Sequence, residues 1–140
     1  DFAYDEALAQ GVRFVREIPD DPIWVRGDFD ALERLTTNLL RNAVQHSPAG
    51  SKVILGATLA PRTVRFWVRD QGPGLTPEQS ARLFQRFSRA HEGPGTPLSG
   101  STGLGLYYVR LVAEKHGGAA GVTSHPGEGA MFWVELPRQA

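Results

Sequence analysis

Hydrophobic positions along this 140-residue chain recur with two different periods, and the changes from one to the other mark out its elements. After Gly11, the stretch Val12-Arg13-Phe14-Val15-Arg16-Glu17-Ile18 alternates as a strand does, and Pro19 and Pro22 then impose a turn. Beyond Ile23-Trp24-Val25, Asp28 is placed to cap a helix whose apolar residues Leu32, Leu35, Leu39, Leu40 and Val44 recur at helical spacing; it should end near Ser47-Pro48. Lys52 to Leu59 and Thr63 to Val68 read as two strands joined at Ala60-Pro61-Arg62, the second ended by Gly72, Pro73 and Gly74. Thr76 as cap and Pro77 at the first helical position predict a short helix to Phe87. From Ser88 to Thr102 no period survives, and Gly93, Pro94, Gly95, Pro97 and Gly100 predict a mobile surface loop. Leu104 to His116 is helical again, stopped by Gly117-Gly118, and strands at about 119–124 and 130–136 flank the turn Pro126-Gly127-Glu128-Gly129. Residues 1–10 read as a short helical lead-in. Such an order predicts an α+β, two-layer sandwich: a mostly antiparallel mixed sheet with helices on one face.

Composition narrows the classes of function. A hydrophobic fraction of 41% is enough for one core, so one globular domain is expected over residues 11–140. The 15 basic and 15 acidic residues cancel, which gives no whole-chain field for nucleic acid or an anionic membrane. Without cysteine there is neither a disulfide framework nor a thiolate zinc site. No window approaches the roughly 18 consecutive apolar residues of a membrane span, and Asp1-Phe2-Ala3-Tyr4-Asp5 does not read as a signal peptide, so the chain as given is expected to be soluble, and the lack of cysteine is compatible with a reducing cytosol.

Three clusters could carry chemistry. Asn38 and Asn42 lie one helical turn apart; asparagine competes for backbone hydrogen bonds inside a helix, so the pair is either functional or two solvated surface residues. Asp70-Gln71-Gly72-Pro73-Gly74 follows a hydrophobic strand, where it is either an acidic turn or a carboxylate set to accept from an exocyclic amine, beside backbone that a ligand can approach. Ser101-Thr102-Gly103-Leu104-Gly105-Leu106 opens the last helix, whose free N–H groups favour an anion such as phosphate. It matches neither the P-loop nor the dinucleotide fingerprint.

In this order, Asn42-Ala43, Asp70-x-Gly72-x-Gly74, Phe84-x-x-Phe87 and Gly103-Leu104-Gly105-Leu106 resemble the N, G1, F and G2 boxes of histidine-kinase catalytic domains, from about residue 24 to 136. The resemblance implies the Bergerat ATP-binding fold and the cofactors ATP and Mg2+. It gives Asn42 the metal, with Asn38 lining the same site. Asp70 would take the adenine amine, Gly72 and Gly74 would keep that end open, and the backbone of Thr102, Gly103, Leu104, Gly105 and Leu106 would meet the phosphates. Arg86 or Arg89 would reach the γ-phosphate, and the lid would be Ser88 to Thr102. Where the family has a basic residue and then an aromatic, this chain has Gln45 and His46; His46 could cover the ribose or adenine, or be a plain surface residue. Ser101 stands where a first glycine is usual.

The same resemblance implies that residues 1–10 end a linker from a helical dimerisation domain whose helices bear the phospho-accepting histidine. His91-Glu92-Gly93-Pro94-Gly95-Thr96-Pro97-Leu98 superficially matches the acceptor box, but with one residue too many and with glycines and prolines that oppose a helix. His116 reads as a cation at a helix C-terminus and His125 as a turn residue. Bergerat ATPases carry a glutamate one turn before the metal asparagine to activate water, whereas Asn38 cannot accept a proton. A histidine kinase is therefore expected, with a response regulator receiver domain as partner, a monomeric isolated domain and a homodimeric whole protein. The alternatives are a catalytically degenerate nucleotide-binding module, favoured by Gln45 and Ser101, and an ATPase of the same superfamily.

Overall fold

The computed structural model describes residues 11–20, 22–84, 105–124 and 127–138. Its elements follow the order β1 (Arg13–Glu17), α1 (Phe29–Gln45), β2 (Lys52–Leu59), β3 (Thr63–Arg69), α2 (Pro77–Arg82), α3 (Gly105–Lys115), β4 (Ala119–Ser124) and β5 (Ala130–Pro137). The five strands form one sheet in the order β1-β2-β3-β5-β4, parallel at β1–β2 and antiparallel elsewhere. The expected mostly antiparallel mixed sheet is what the chain builds.

Local chemistry accounts for the element ends. Asp28 Oδ1 accepts from the Ala31 N–H at 3.0 Å and starts α1. At α2, Thr76 Oγ1 accepts from Gln79 N at 3.1 Å while Gln79 Oε1 accepts from Thr76 N at 2.9 Å, a reciprocal capping box ahead of Pro77. This helix covers Pro77–Arg82, ending before the expected Phe87; Leu83 caps it in a helical conformation and donates to the Ser80 carbonyl, and Leu83 and Phe84 are buried, Phe84 meeting Phe132 edge-on at 6.5 Å. Phe87 and the expected loop from Ser88 lie outside the described residues, as does the lead-in at 1–10.

The pleat sorts the sheet residues. Val53 on β2, Val64 and Val68 on β3, and Phe132, Val134 and Leu136 on β5 turn to one face, onto Leu35, Leu39, Leu40, Ala43 and Val44 of α1 and Val109, Val112 and Ala113 of α3. Burying each of the larger side chains is worth about 1.5–3 kcal/mol. The other face carries Trp67 and Trp133, paired across β3 and β5. Each ring lies over a strand glycine: a Cβ on Gly56 would fall 2.0 Å from Trp67 and one on Gly121 would fall 2.4 Å from Trp133. Arg65 stacks 4.1 Å from the Trp133 ring and Arg69 5.6 Å from that of Trp67, shielding the indoles. Among the described residues, no helix is long and apolar enough to cross a membrane.

Candidate functional site

Asp70 stands at the end of β3 and is only 3% exposed. Its Oδ1 accepts from two backbone N–H groups, Gly72 at 3.0 Å and Ala130 at 3.1 Å, and its own N–H donates to the Ala130 carbonyl at 2.9 Å. Both side-chain bonds use one oxygen, so among the described residues Oδ2 is left for another donor. Burial pushes the Asp70 carboxyl above its ordinary value, against the two backbone N–H bonds and the nearby His46, which favour the charged form. An acidic turn in solvent would have none of these features.

The last turn of α1 closes on that carboxylate. His46 is half-buried, its Nδ1 lies 2.7 Å from the Asn42 carbonyl, and Asp70 acts on it electrostatically. It is therefore no plain surface residue. The His46 carbonyl in turn meets the turn after β3: a Cβ on Gly72 would sit 2.2 Å from that oxygen, so only glycine lets helix and turn approach this closely. Gly74 takes a positive φ of 76°, and Leu75 beyond it is fully buried, its N–H donating to Ser124 Oγ at 2.8 Å. Gln45 is exposed.

Asn42 is half-buried on the same helix, and its Nδ2 is buried without a hydrogen-bond partner among the described residues. Such an orphan donor costs about 1–3 kcal/mol, which makes it a candidate to donate to an oxygen of a bound ligand. One turn earlier, Asn38 Nδ2 donates to the Gly105 carbonyl at 3.3 Å, tying α1 to the first residue of α3. Gly105 thus brings the start of α3 beside Asn38, and Leu106 packs on the core. Arg86, Arg89, Thr102, Gly103 and Leu104 lie outside the described residues, as do His91 and His125. Among the described residues no cluster of three or more His, Cys, Asp or Glu offers a metal cage.

Two contributors escaped the sequence. Ala130, 60 residues from Asp70, supplies half of the carboxylate's support, and Ser124 links Leu75 to the Gly129 carbonyl at 2.8 Å. Gly127-Glu128-Gly129 signals a turn, and nothing local says that the strand beyond it pairs with the end of β3.

The buried ring also predicts a pH dependence. Burial lowers the His46 pKa from its ordinary 6.5, so the unfolded chain takes up a proton just below that pH while the folded ring refuses it. Stability should then fall as pH drops below 6.5, and His46→Gln should flatten that part of the profile. Denaturant unfolding of both proteins across this window checks the point; equal slopes would place the titration elsewhere. Asp70 acts with the opposite sign, since its raised pKa makes the fold less stable as pH rises above the ordinary 3.8.

Residues 27–140 match the family described as histidine kinase-, DNA gyrase B-, and HSP90-like ATPase. The chain belongs to that family. It is similar to the sensor histidine kinase YcbM of Bacillus subtilis (strain 168), 33% identical over 135 residues, which cover 96% of this chain and 43% of that protein. Among solved structures it resembles the mycobacterial sensor histidine kinase MprB, with a TM-score of 0.84 at 29% identity over 99% of this chain and 93% of that one. Full-length ShkA in complex with AMPPNP gives a TM-score of 0.83 at 31% identity, over 99% of this chain and 28% of that one. The chain thus spans less than half the length of the curated relatives it matches, between 25% and 43% for four of them.

Proposed function

We propose that this chain is the ATP-binding catalytic domain of a sensor histidine kinase and delivers the γ-phosphoryl group of ATP to a histidine on a separate dimerisation helix bundle. The observation that carries the proposal is the apposition of α1 to the turn after β3. It sets a buried carboxylate with one committed oxygen, Asp70, beside a helix whose Asn42 amide has a buried, unsatisfied N–H. Asp70 Oδ2 suits the exocyclic amine of adenine. Mg2+ binds through oxygen and takes few protein ligands, so the Asn42 amide oxygen would hold it, and the unpaired Nδ2 would be left to donate to a phosphate oxygen. When bound, the metal neutralises charge on the transferring phosphoryl group.

The remaining roles follow from the resemblance to histidine-kinase catalytic domains. Gly72 and Gly74 keep the adenine end open, His46 lies beside it, and the backbone from Thr102 to Leu106 binds the phosphates. Arg86 or Arg89 stabilises the γ-phosphate. Asn38 gives its amide N–H to the Gly105 carbonyl and has no carboxylate with which to take a proton from water, so hydrolysis is slow. A neutral imidazole nitrogen of the acceptor helix forms the N–P bond as the bond to the bridging oxygen breaks, and ADP leaves with the electron pair. Residues 1–10 are the end of the linker from that helical domain and residues 11–140 the catalytic domain. The partners are those helices and a response regulator receiver domain, in a homodimeric protein whose catalytic part is cytoplasmic.

With γ-labelled ATP the chain alone should stay unlabelled, and rejoining it to its dimerisation and acceptor helices should give label that survives alkali and is lost in acid. Alkali-stable label on the chain alone, lost in His91→Gln, would overturn the assignment of the acceptor. The last turn of α1 holds no basic residue, since Gln45 stands there, and this favours the second reading, a module that binds nucleotide without transferring it. A rejoined kinase that binds ATP and acquires no label would establish that reading instead.

A further inference from the structure

His116, just past the end of α3, is held at both ring nitrogens. Nδ1 lies 2.7 Å from the Val112 carbonyl oxygen, and the backbone N–H of Asp28, 88 residues away, donates to Nε2 at 3.0 Å. A carbonyl only accepts and a backbone N–H only donates, so the partners fix the tautomer: the proton is on Nδ1 and the lone pair on Nε2. The ring is neutral, where the sequence suggested a cation answering the helix dipole. Gly27 makes room for it, because a Cβ there would fall 2.3 Å from His116 Cδ2.

Asp28 is the residue that caps α1, so the end of α3 grips the beginning of α1. At the other end of the seam Asn38 bonds the first residue of α3, and between the two the Arg34 guanidinium stacks 4.8 Å over the Tyr108 ring. The helices therefore run antiparallel. Positions 28 to 38 and positions 116 to 105 span about 15 and 16 Å at the helical rise, so the polar contacts are in step on both helices. The seam between them, Leu35 and Leu39 with Val109 and Val112, is buried and apolar, and apolar packing is non-directional, whereas the hydrogen bond at His116, although open to solvent, is directional and needs its partner in one place.

We propose that His116 is a positioning residue for the nucleotide site: its neutral ring fixes the axial register of α1 on α3, and with it the place of Asn42 relative to the backbone that opens α3. From Asp28 to Asn42 is about 21 Å along the helix, so His116 acts through α1 and does not touch the nucleotide. This rests on the function proposed above. Asp70 is carried by the sheet and α1 brings only His46 to the adenine end, so adenine recognition depends on the clip less than the magnesium-dependent part of binding does.

The test compares adenosine affinity, and ATP affinity with Mg2+ and with excess chelator, in the wild-type chain, His116→Ala, His116→Asn and His116→Gln. Glutamine sets its Oε1 where Nε2 stands and keeps an acceptor for the Asp28 N–H; asparagine reaches only to the Nδ1 position and loses it. The magnesium-dependent gain in ATP affinity should fall about threefold to tenfold in the Ala and Asn variants, the size of one lost hydrogen bond, and return in the Gln variant. Adenosine affinity should change by less than twofold across the four. In the isotope-labelled wild-type chain, a scalar coupling across the hydrogen bond between the Asp28 amide nitrogen and His116 Nε2 should be present, a readout that needs no variant to fold. An absent coupling, or a magnesium-dependent gain unchanged in the Asn variant, overturns the inference and leaves the nucleotide reading standing. A parallel loss of adenosine and Mg-ATP affinity also overturns it, by reducing His116 to general stability. A wild-type chain that binds neither adenosine nor ATP overturns the nucleotide reading, and with it any site for His116 to position.

Discussion

Asn42→Ala, made in a kinase that joins this domain to its acceptor helices, should cut magnesium-dependent phosphoryl transfer by at least about a hundredfold. A correctly held metal contributes several kcal/mol to the transition state, and each 1.36 kcal/mol is a factor of ten. ATP affinity should fall much less, because phosphate oxygens and water remain as ligands to the metal and Asp70 still holds the base. Folding should not suffer. The Asn42 Nδ2 is buried without a partner, so truncation removes an unsatisfied donor while costing modest packing, and the unfolding midpoint should stay level or rise. The combination of lost transfer, retained binding and retained stability separates a metal ligand from a structural asparagine. Transfer at the wild-type rate in a single-turnover assay would make Asn42 structural.

Asp70→Asn should weaken adenine nucleotides by about 1–3 kcal/mol, the range for leaving a buried polar partner unpaired. Asparagine can keep its Oδ1 on the Gly72 and Ala130 N–H groups, now 3.0 and 3.1 Å from the carboxylate, so the turn and the start of β5 stay in place. The other oxygen becomes an NH2 group, which meets the adenine amine donor to donor. Burial already disfavours the Asp70 charge, so the neutral variant should be at least as stable near neutral pH while binding ATP less well. Calorimetry on the two proteins decides the matter, and equal ATP affinities would remove Asp70 from the adenine site.

Much of the fold was legible because its signals are local. The strand Lys52–Leu59 falls where alternation and the Ala60-Pro61-Arg62 turn put it, α1 starts at its Asp28 cap, and the Thr76-Pro77 start of α2 is a reciprocal box of neighbouring groups. The glycines of the turn after β3 were legible as well, since a residue without Cβ announces a close approach even when its partner is unknown. Periodicity and caps act over a few residues, within the reach of one side chain, so the sequence alone determined element identity, order and fold class, and the boxes that mark the family.

What those residues do to one another was decided by the tertiary structure. The contact of Phe84 with Phe132, 48 residues apart and edge-on at 6.5 Å, follows from no local pattern. Asp70 becomes a buried carboxylate only when the start of β5 pairs with the end of β3, across 60 residues. His116 Nε2 finds its donor only because the Asp28 N–H arrives from 88 residues away. Asn38 is tied to Gly105 across 67 residues in the same way. Local pattern fixes which groups exist, but their protonation, tautomer and free lone pairs depend on partners that only strand register and helix packing bring within about 3 Å.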